Sequence, residues 1–344
     1  MTQTQWETLV AVVNGKRLDQ PLCGLIVDSP WLPGWSGEAS VLDYYASEST
    51  WLNVNLKACR AFPSAVFLPG FWSEYGMCTE PSAFGSRLVW DENELPFAEP
   101  VGSSLEQALR LTKPDVRTSG LLPFVLRRLV HARPAIEAEG HAIRFAVARG
   151  PLNIASFLMG TTEFLMAMQL DPDGTHAMLG VITDFLEDWI KLQASTFPTV
   201  RGVMLLDDIV GFLGAEDVAV FAAPYLKRAF ASIDSDVRLF HNDANGTECA
   251  PQLDGMGVNL FNFSFAHPIG EMRGRVGWGV ALLGNIPPRD VLAAGTPGDV
   301  RKAVAEMKGA LGQDYTRVVF SCGGGLPPGV PTANIQAFLE EAGT

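Results

Sequence analysis

The sequence predicts an α/β fold, a single-domain (β/α)8 TIM barrel with a long N-terminal loop region, and three observations lead there. Eight short β-rich runs recur along the chain, at residues 22–27, 65–68, 142–147, 202–206, 237–240, 257–261, 280–283 and 317–321. Most are nearly continuous apolar segments, the pattern of strands buried on both faces. Stretches of helical periodicity lie between them, and such alternation builds a parallel barrel rather than a sandwich. An open doubly wound sheet shares the alternation, so closure is an expectation that only coordinates test.

Taken in order, Trp6, Leu9, Val10 and Val13 have helical spacing and open the chain with a helix. Residues 31–120, rich in Trp, Phe, Pro and Gly, read as irregular loops that either line a pocket or pack on the barrel. Arg127, Arg128, His131 and Arg133 form the densest basic stretch and read as the solvated end of a helix. Leu179, Ile182, Phe185, Leu186, Trp189 and Ile190 make one apolar stripe, and Val300, Val304, Met307 and Leu311 another. The second stripe carries its own start signal: Thr296 as N-cap, Pro297 in the first turn and Asp299 near the positive end of the helix dipole. A last helix begins near Thr332, presents Ile335, Phe338 and Leu339, and stops around Gly343. No linker, repeat or composition break divides residues 1–344, so one domain is expected.

Composition removes several function classes. Of 344 residues, 47% are hydrophobic and 18% charged, which suits a packed globular chain. The net charge of −13 repels a phosphate backbone, so nucleic acid is not an expected partner. Cys23, Cys59, Cys78, Cys249 and Cys322 form no CxxC pair, which points to a reduced, cytoplasmic setting. The N-terminal segment lacks a basic start before an apolar core, so no signal peptide is expected. No apolar run reaches the ~18 residues that span a bilayer. A soluble enzyme is the expectation.

Four strand ends gather the residues that could do chemistry. Asp207 and Asp208 follow the apolar run ending LL, and two adjacent buried carboxylates are costly, so one is expected to cap a helix and the other to face the site. His241 and Asp243 close RLFHND two residues apart, on one side of an extended strand. That spacing serves acid–base work, a metal or a mutual hydrogen bond. Asn262 and His267 follow the sixth run as candidate substrate ligands. Cys322 and the turn Gly323, Gly324, Gly325 follow the last, where backbone amides approach a ligand closely. The Cys322 thiol reads equally as a ligand or a small buried side chain.

These segments resemble, in order, those of the uroporphyrinogen decarboxylase superfamily, which includes corrinoid-dependent methyltransferases. The matching stretches are Asp19-Gln-Pro, GPLNIASFLMG from Gly150, LLDDIVGFLG from Leu205, LFHNDAN from Leu239, GNIPPRDVLAAGTPGDV from Gly284 and the terminal FSCGGGLPPGVPTANIQAF. The resemblance implies a TIM barrel over nearly the whole chain. Decarboxylases of this type resemble one another in an arginine-bearing MRQAGRY-like segment that grips substrate carboxylates. The equivalent LIVDSPWLPGWSG here has no arginine, which argues against a porphyrinogen substrate. Thiol-methylating members bind zinc through H-x-C and a later cysteine. Here Asp243 and Gly324 stand at the cysteine positions, with Cys322 offset by two.

The resemblance therefore implies a methyltransferase component of a corrinoid-dependent demethylation system. Such an enzyme moves a methyl group from a small methylated substrate to the cobalt of a corrinoid (cobalamin), carried by a partner corrinoid protein. Asp208, His241 and Asp243 are the expected catalytic residues, and Asp207, Asn262, His267 and Gly323–Gly325 the substrate-binding ones. Any zinc is expected through His241, Asp243 and Cys322, with an empty site as the alternative. A homodimer is compatible with this reading. A decarboxylase acting on a uroporphyrinogen-type or smaller substrate, or a non-catalytic ligand-binding barrel, are the competing expectations.

Overall fold

Eight parallel strands form the centre of the computed structural model, which describes residues 1–27, 30–102 and 104–343. They are β1 (Leu22–Ile26), β2 (Val66–Leu68), β5 (Phe145–Arg149), β6 (Gly202–Leu206), β7 (Val237–Asn242), β8 (Leu260–Phe263), β9 (Ala281–Ile286) and β10 (Val318–Cys322). A two-stranded antiparallel hairpin, β3 (Leu88–Val89) and β4 (Phe97–Ala98), lies apart from them. The order β2-β1-β10-β9-β8-β7-β6-β5 curls the sheet around one interior. Ile26, Leu68, Val147, Met204, Leu239, Leu260, Leu283 and Val319, one from each strand, meet in a single buried cluster there. Each of the eight expected runs overlaps a strand, those at 142–147 and 257–261 starting three residues before theirs, and the fold is the (β/α)8 barrel.

The ladder is not continuous all round. Among the described residues β2 and β5 exchange no backbone hydrogen bonds, and side chains fill that seam instead. The Arg149 guanidinium lies 5.5 Å from the centre of the Trp72 ring and pairs with Glu74 at 2.7 Å. Below it, Ala142 N–H donates to Met1 O at 2.9 Å.

The first helix, Gln3–Val13, closes the amino end of the barrel. Thr2 and Gln5 form a reciprocal capping box at its start. Trp6, Leu9, Val12 and Val13 are buried in the interior cluster, worth roughly 1.5–3 kcal/mol each for the largest of them. Arg317, just before β10, donates to Val13 O and ties the plug in place. The amino end of the barrel is thus plugged by apolar side chains.

Local signals elsewhere worked through the expected chemistry. Thr296 and Asp299 form a capping box on helix Pro297–Ala310, and the last helix is Thr332–Ala342. Residues 31–120 are more regular than their Pro, Gly and Trp content predicts. They include helix Glu48–Ala61, where Trp51, Val54 and Ala58 pack inward at helical spacing. Arg128 departs from the solvated reading of the basic stretch: it is buried, donates to Tyr45 O, and stands 4.7 Å from the Tyr75 ring centre. Arg127, His131 and Arg133 are exposed as expected.

Candidate active site and metal centre

Strand alternation sorts the carboxyl-end residues into two shells. Val237 and Leu239 belong to the interior cluster and Phe240 to the outer layer, so His241 points inward at the barrel mouth. By the same alternation Asn262 continues Leu260, Asn285 continues Leu283, Ser321 continues Val319 and Arg149 continues Val147. An apolar floor passes into a polar rim within one residue pair on five strands.

At that rim Asp208, His241 and Asp243 converge, with one ligand-capable atom from each lying within 4.8 Å of the others. His241 Nε2 is 3.9 Å from Asp208 Oδ1 and 4.0 Å from Asp243 Oδ2. Asp243 N–H donates to Asp208 Oδ1 at 3.1 Å, which holds the two loops together. The imidazole is buried, whereas both carboxylates reach toward solvent.

Asn262 sets the chemical state of the ring. Its amide NH2 donates to Leu283 O at 2.8 Å and Cys322 O at 3.1 Å. Both amide hydrogens are thereby used, so Oδ1 is the acceptor in its 2.8 Å contact with His241 Nδ1. Nδ1 therefore carries a proton, and Nε2 faces the two carboxylates. An orienting partner behind a histidine is the usual support for a metal ligand or a general base.

Two carboxylates and a ring nitrogen facing one point leave negative charge that a cation or a proton would balance. Burial pushes the Asp243 carboxyl above the usual carboxylate range; His241 pulls it down and the neighbouring charge of Asp208 pushes it up. Two carboxylate oxygens and one imidazole nitrogen fit a divalent cation with oxygen and nitrogen preference. They do not reproduce a thiolate-rich zinc site. Cys322 lies outside this cluster: its thiol faces the layer between strands and helices and donates to Gly324 O at 3.2 Å.

Asp207 is separated from the site by one peptide. It points outward, fully buried, and accepts from Leu152 N–H at 2.9 Å and Asn153 N–H at 3.0 Å. It thereby caps helix Pro151–Met159 from the adjacent strand. Gly150, the residue before that helix, is required there, since a Cβ would fall 2.3 Å from Asp207 Oδ2. Burial raises the Asp207 carboxyl well above its ordinary value, while the Leu152 amide draws it back.

The remaining expected residues frame the mouth. Gly324, at φ +128°, brings the last turn against Asp243, whose Oδ2 would lie 3.0 Å from a Cβ. Gly323 N–H donates to Ile286 O, and Gly325 pairs with Ile26. His267 contributes through its backbone: its carbonyl accepts from Asn285 Nδ2 at 2.6 Å. The structure thus brings Asp208, His241, Asp243, Asn262 and the glycine turn together, and directs Asp207 and Cys322 away. Arg149, Asn285 and Ser321 join the rim without having been singled out. A polar residue ending each apolar run was their signal. Asp28 and Ser29, within the segment compared for substrate-gripping arginines, lie outside the described residues.

Comparison with known proteins gives the family. The chain is 25% identical over 276 residues to the uroporphyrinogen decarboxylase of Idiomarina loihiensis, covering 76% of this chain and 74% of that protein. It is 24% identical over 268 residues to the methylated-thiol–coenzyme M methyltransferase of Methanosarcina mazei, covering 77% and 70%. Among solved structures, a methyltransferase from Methanosarcina mazei superposes with a TM-score of 0.81 at 17% identity, covering 97% and 96%, which speaks to the fold. A B12-independent methionine synthase from Shewanella sp. W3-18-1 gives 0.60 at 10% identity, covering 93% and 97%. The uroporphyrinogen decarboxylase (URO-D) family model matches residues 5–344, so the protein is a member of the URO-D family.

Proposed function

We propose that this URO-D family enzyme is a methyltransferase that removes a methyl group from a small methylated substrate and passes it to the cobalt of a corrinoid on a partner protein. The observation that supports this best is the placement of His241 Nε2, its ring oriented by Asn262, beside Asp208 and Asp243. Methyl transfer to a reduced metal leaves a heteroatom with an extra electron pair, so the enzyme must neutralise that atom. A divalent cation held by His241, Asp208 and Asp243 would supply Lewis-acid polarisation there.

The chain's own residues do the rest. Asn262 keeps the ring in one tautomer and one orientation. His241 Nε2, between the two carboxylates, stands where a proton could pass to the departing oxygen, nitrogen or sulfur. The apolar plug fills the barrel from below, and the rim would leave the substrate open to a second molecule from above.

A decarboxylase remains the competing activity, because decarboxylases stand among the relatives. Porphyrinogens carry several carboxylates, and LIVDSPWLPGWSG offers them no arginine. The test is a panel of O-, N- and S-methylated substrates with cob(I)alamin, read by the cobalt absorbance change, beside a uroporphyrinogen assay. Methylcobalamin formation that is lost in His241→Ala is expected. Porphyrinogen turnover without methyl transfer would overturn the proposal, and neither activity would favour a ligand-binding barrel.

A further inference from the structure

Above the metal-ligating cluster lies a cleft of about 590 Å³ that the cluster does not account for. Its walls are largely apolar, from Val41, Leu95, Leu326, Pro327 and Pro328, and Asp243 lies in its lining. That size suits a small organic ligand. The charged side chains lining it are Asp243, Glu94 and Arg289, so Arg289 is its one cation among the described residues.

Arg289 has the properties of a ligand anchor rather than a structural arginine. It is exposed and makes no ion pair within 4.0 Å among the described residues, although its charge acts on Asp243. The other arginines near strand ends are engaged: Arg149 with Glu74, Arg201 with Asp234 and Asp236, Arg317 with Val13 O. Its base is stiff, because Pro287 and Pro288 fix two successive φ angles directly after β9. Pro288 is buried and lines the same cleft. A chain of net charge −13, with two carboxylates at this mouth, would otherwise repel an anionic ligand.

We propose that Arg289 binds a carboxylate of the substrate, so that the substrate class is a small methylated organic acid with an apolar body. The guanidinium fork matches a carboxylate bidentately, the proline and leucine walls cover the body, and the opposite end reaches the His241 cluster. This specificity role rests on the proposed methyltransferase reading for its substrate, but its test does not need turnover.

The probes are benzoate and its neutral isostere benzamide, titrated calorimetrically into the wild type, Arg289→Gln, Arg289→Lys and His241→Ala. The wild type should bind benzoate at least tenfold more tightly than benzamide. Arg289→Gln should abolish that preference, Arg289→Lys should keep part of it, and His241→Ala should keep it all. Equal binding of the two probes, no benzoate binding into the millimolar range, or a preference surviving Arg289→Gln would overturn the proposal. Loss in His241→Ala or with a chelator, rather than in Arg289→Gln, would also overturn it by moving the carboxylate to the metal-ligating cluster. If the preference follows Arg289 while no methylated substrate alkylates cobalt, the methyltransferase reading fails and the anion site stands.

Discussion

Asp207 and Asp208 are neighbours in sequence with opposite tasks, and substitution should separate them. Asp207→Ala leaves two buried backbone N–H groups, those of Leu152 and Asn153, without an acceptor. Each orphaned donor costs about 1–3 kcal/mol, and relief from burying a carboxyl returns part of it, so a net loss of about 3 kcal/mol is expected. With an unfolding entropy of about 2.1 cal/mol/K per residue over 344 residues, that loss lowers Tm by about 4 °C. Asp207→Asn keeps one acceptor and should lose about half as much. Asp208→Ala, at the half-exposed rim, should melt within about 1 °C of the wild type. Its effect should appear in divalent-cation affinity, which falls tenfold or more. Calorimetric melting and cation titration on the three variants decide the matter. If Asp207→Ala melts like the wild type, or if Asp208→Ala unfolds early and still binds the cation, the division of labour is wrong.

Three further outcomes follow from the same geometry. Asn262→Ala should lower cation affinity ten- to a hundredfold by freeing the His241 ring, as equilibrium dialysis with metal analysis would show. His241→Ala and Asp208→Asn should each lower kcat by roughly 10²-fold or more, and the double variant by less than the product, because groups acting on one transition state are not additive. Burial, with help from the Met1 α-ammonium, depresses His141 from 6.5 to about 4. The unfolded chain then takes up this proton first, so the stability this residue contributes is intact above about pH 6.5 and lost as pH falls to about 4. After allowance for the ring's partial exposure the loss is on the order of 1 kcal/mol, and His141→Phe should flatten the corresponding slope of Tm against pH.

Much of the barrel was legible because its strands are buried on both faces, and such strands announce themselves as apolar runs. Their carboxyl ends were read too short: β7 continues through His241 and Asn242, β8 through Asn262 and Phe263, and β9 through Asn285 and Ile286. Polar side chains there line the candidate site, so the hydrophobic signal stops before the backbone ladder does. The residues that made the strands hard to delimit are therefore also the candidate site residues.

The sequence by itself determined the alternation of buried strands and helices, the helix caps at Thr296 and Asp299, and the polar strand ends, because each is set by neighbours a few positions away, whereas the curl of the sheet into a barrel rests on the strand order. Only the tertiary structure decided which of Asp207 and Asp208 faces the mouth. Strand alternation points one inward and one outward, but the register against β5 and β7 says which is which. It also turned Cys322 away from the site and fixed the His241 tautomer through Asn262, whose amide reaches backbone carbonyls on two other strands. Those outcomes depend on atoms from residues 21 to 60 positions apart meeting within 3.1 Å, a condition that local sequence does not encode.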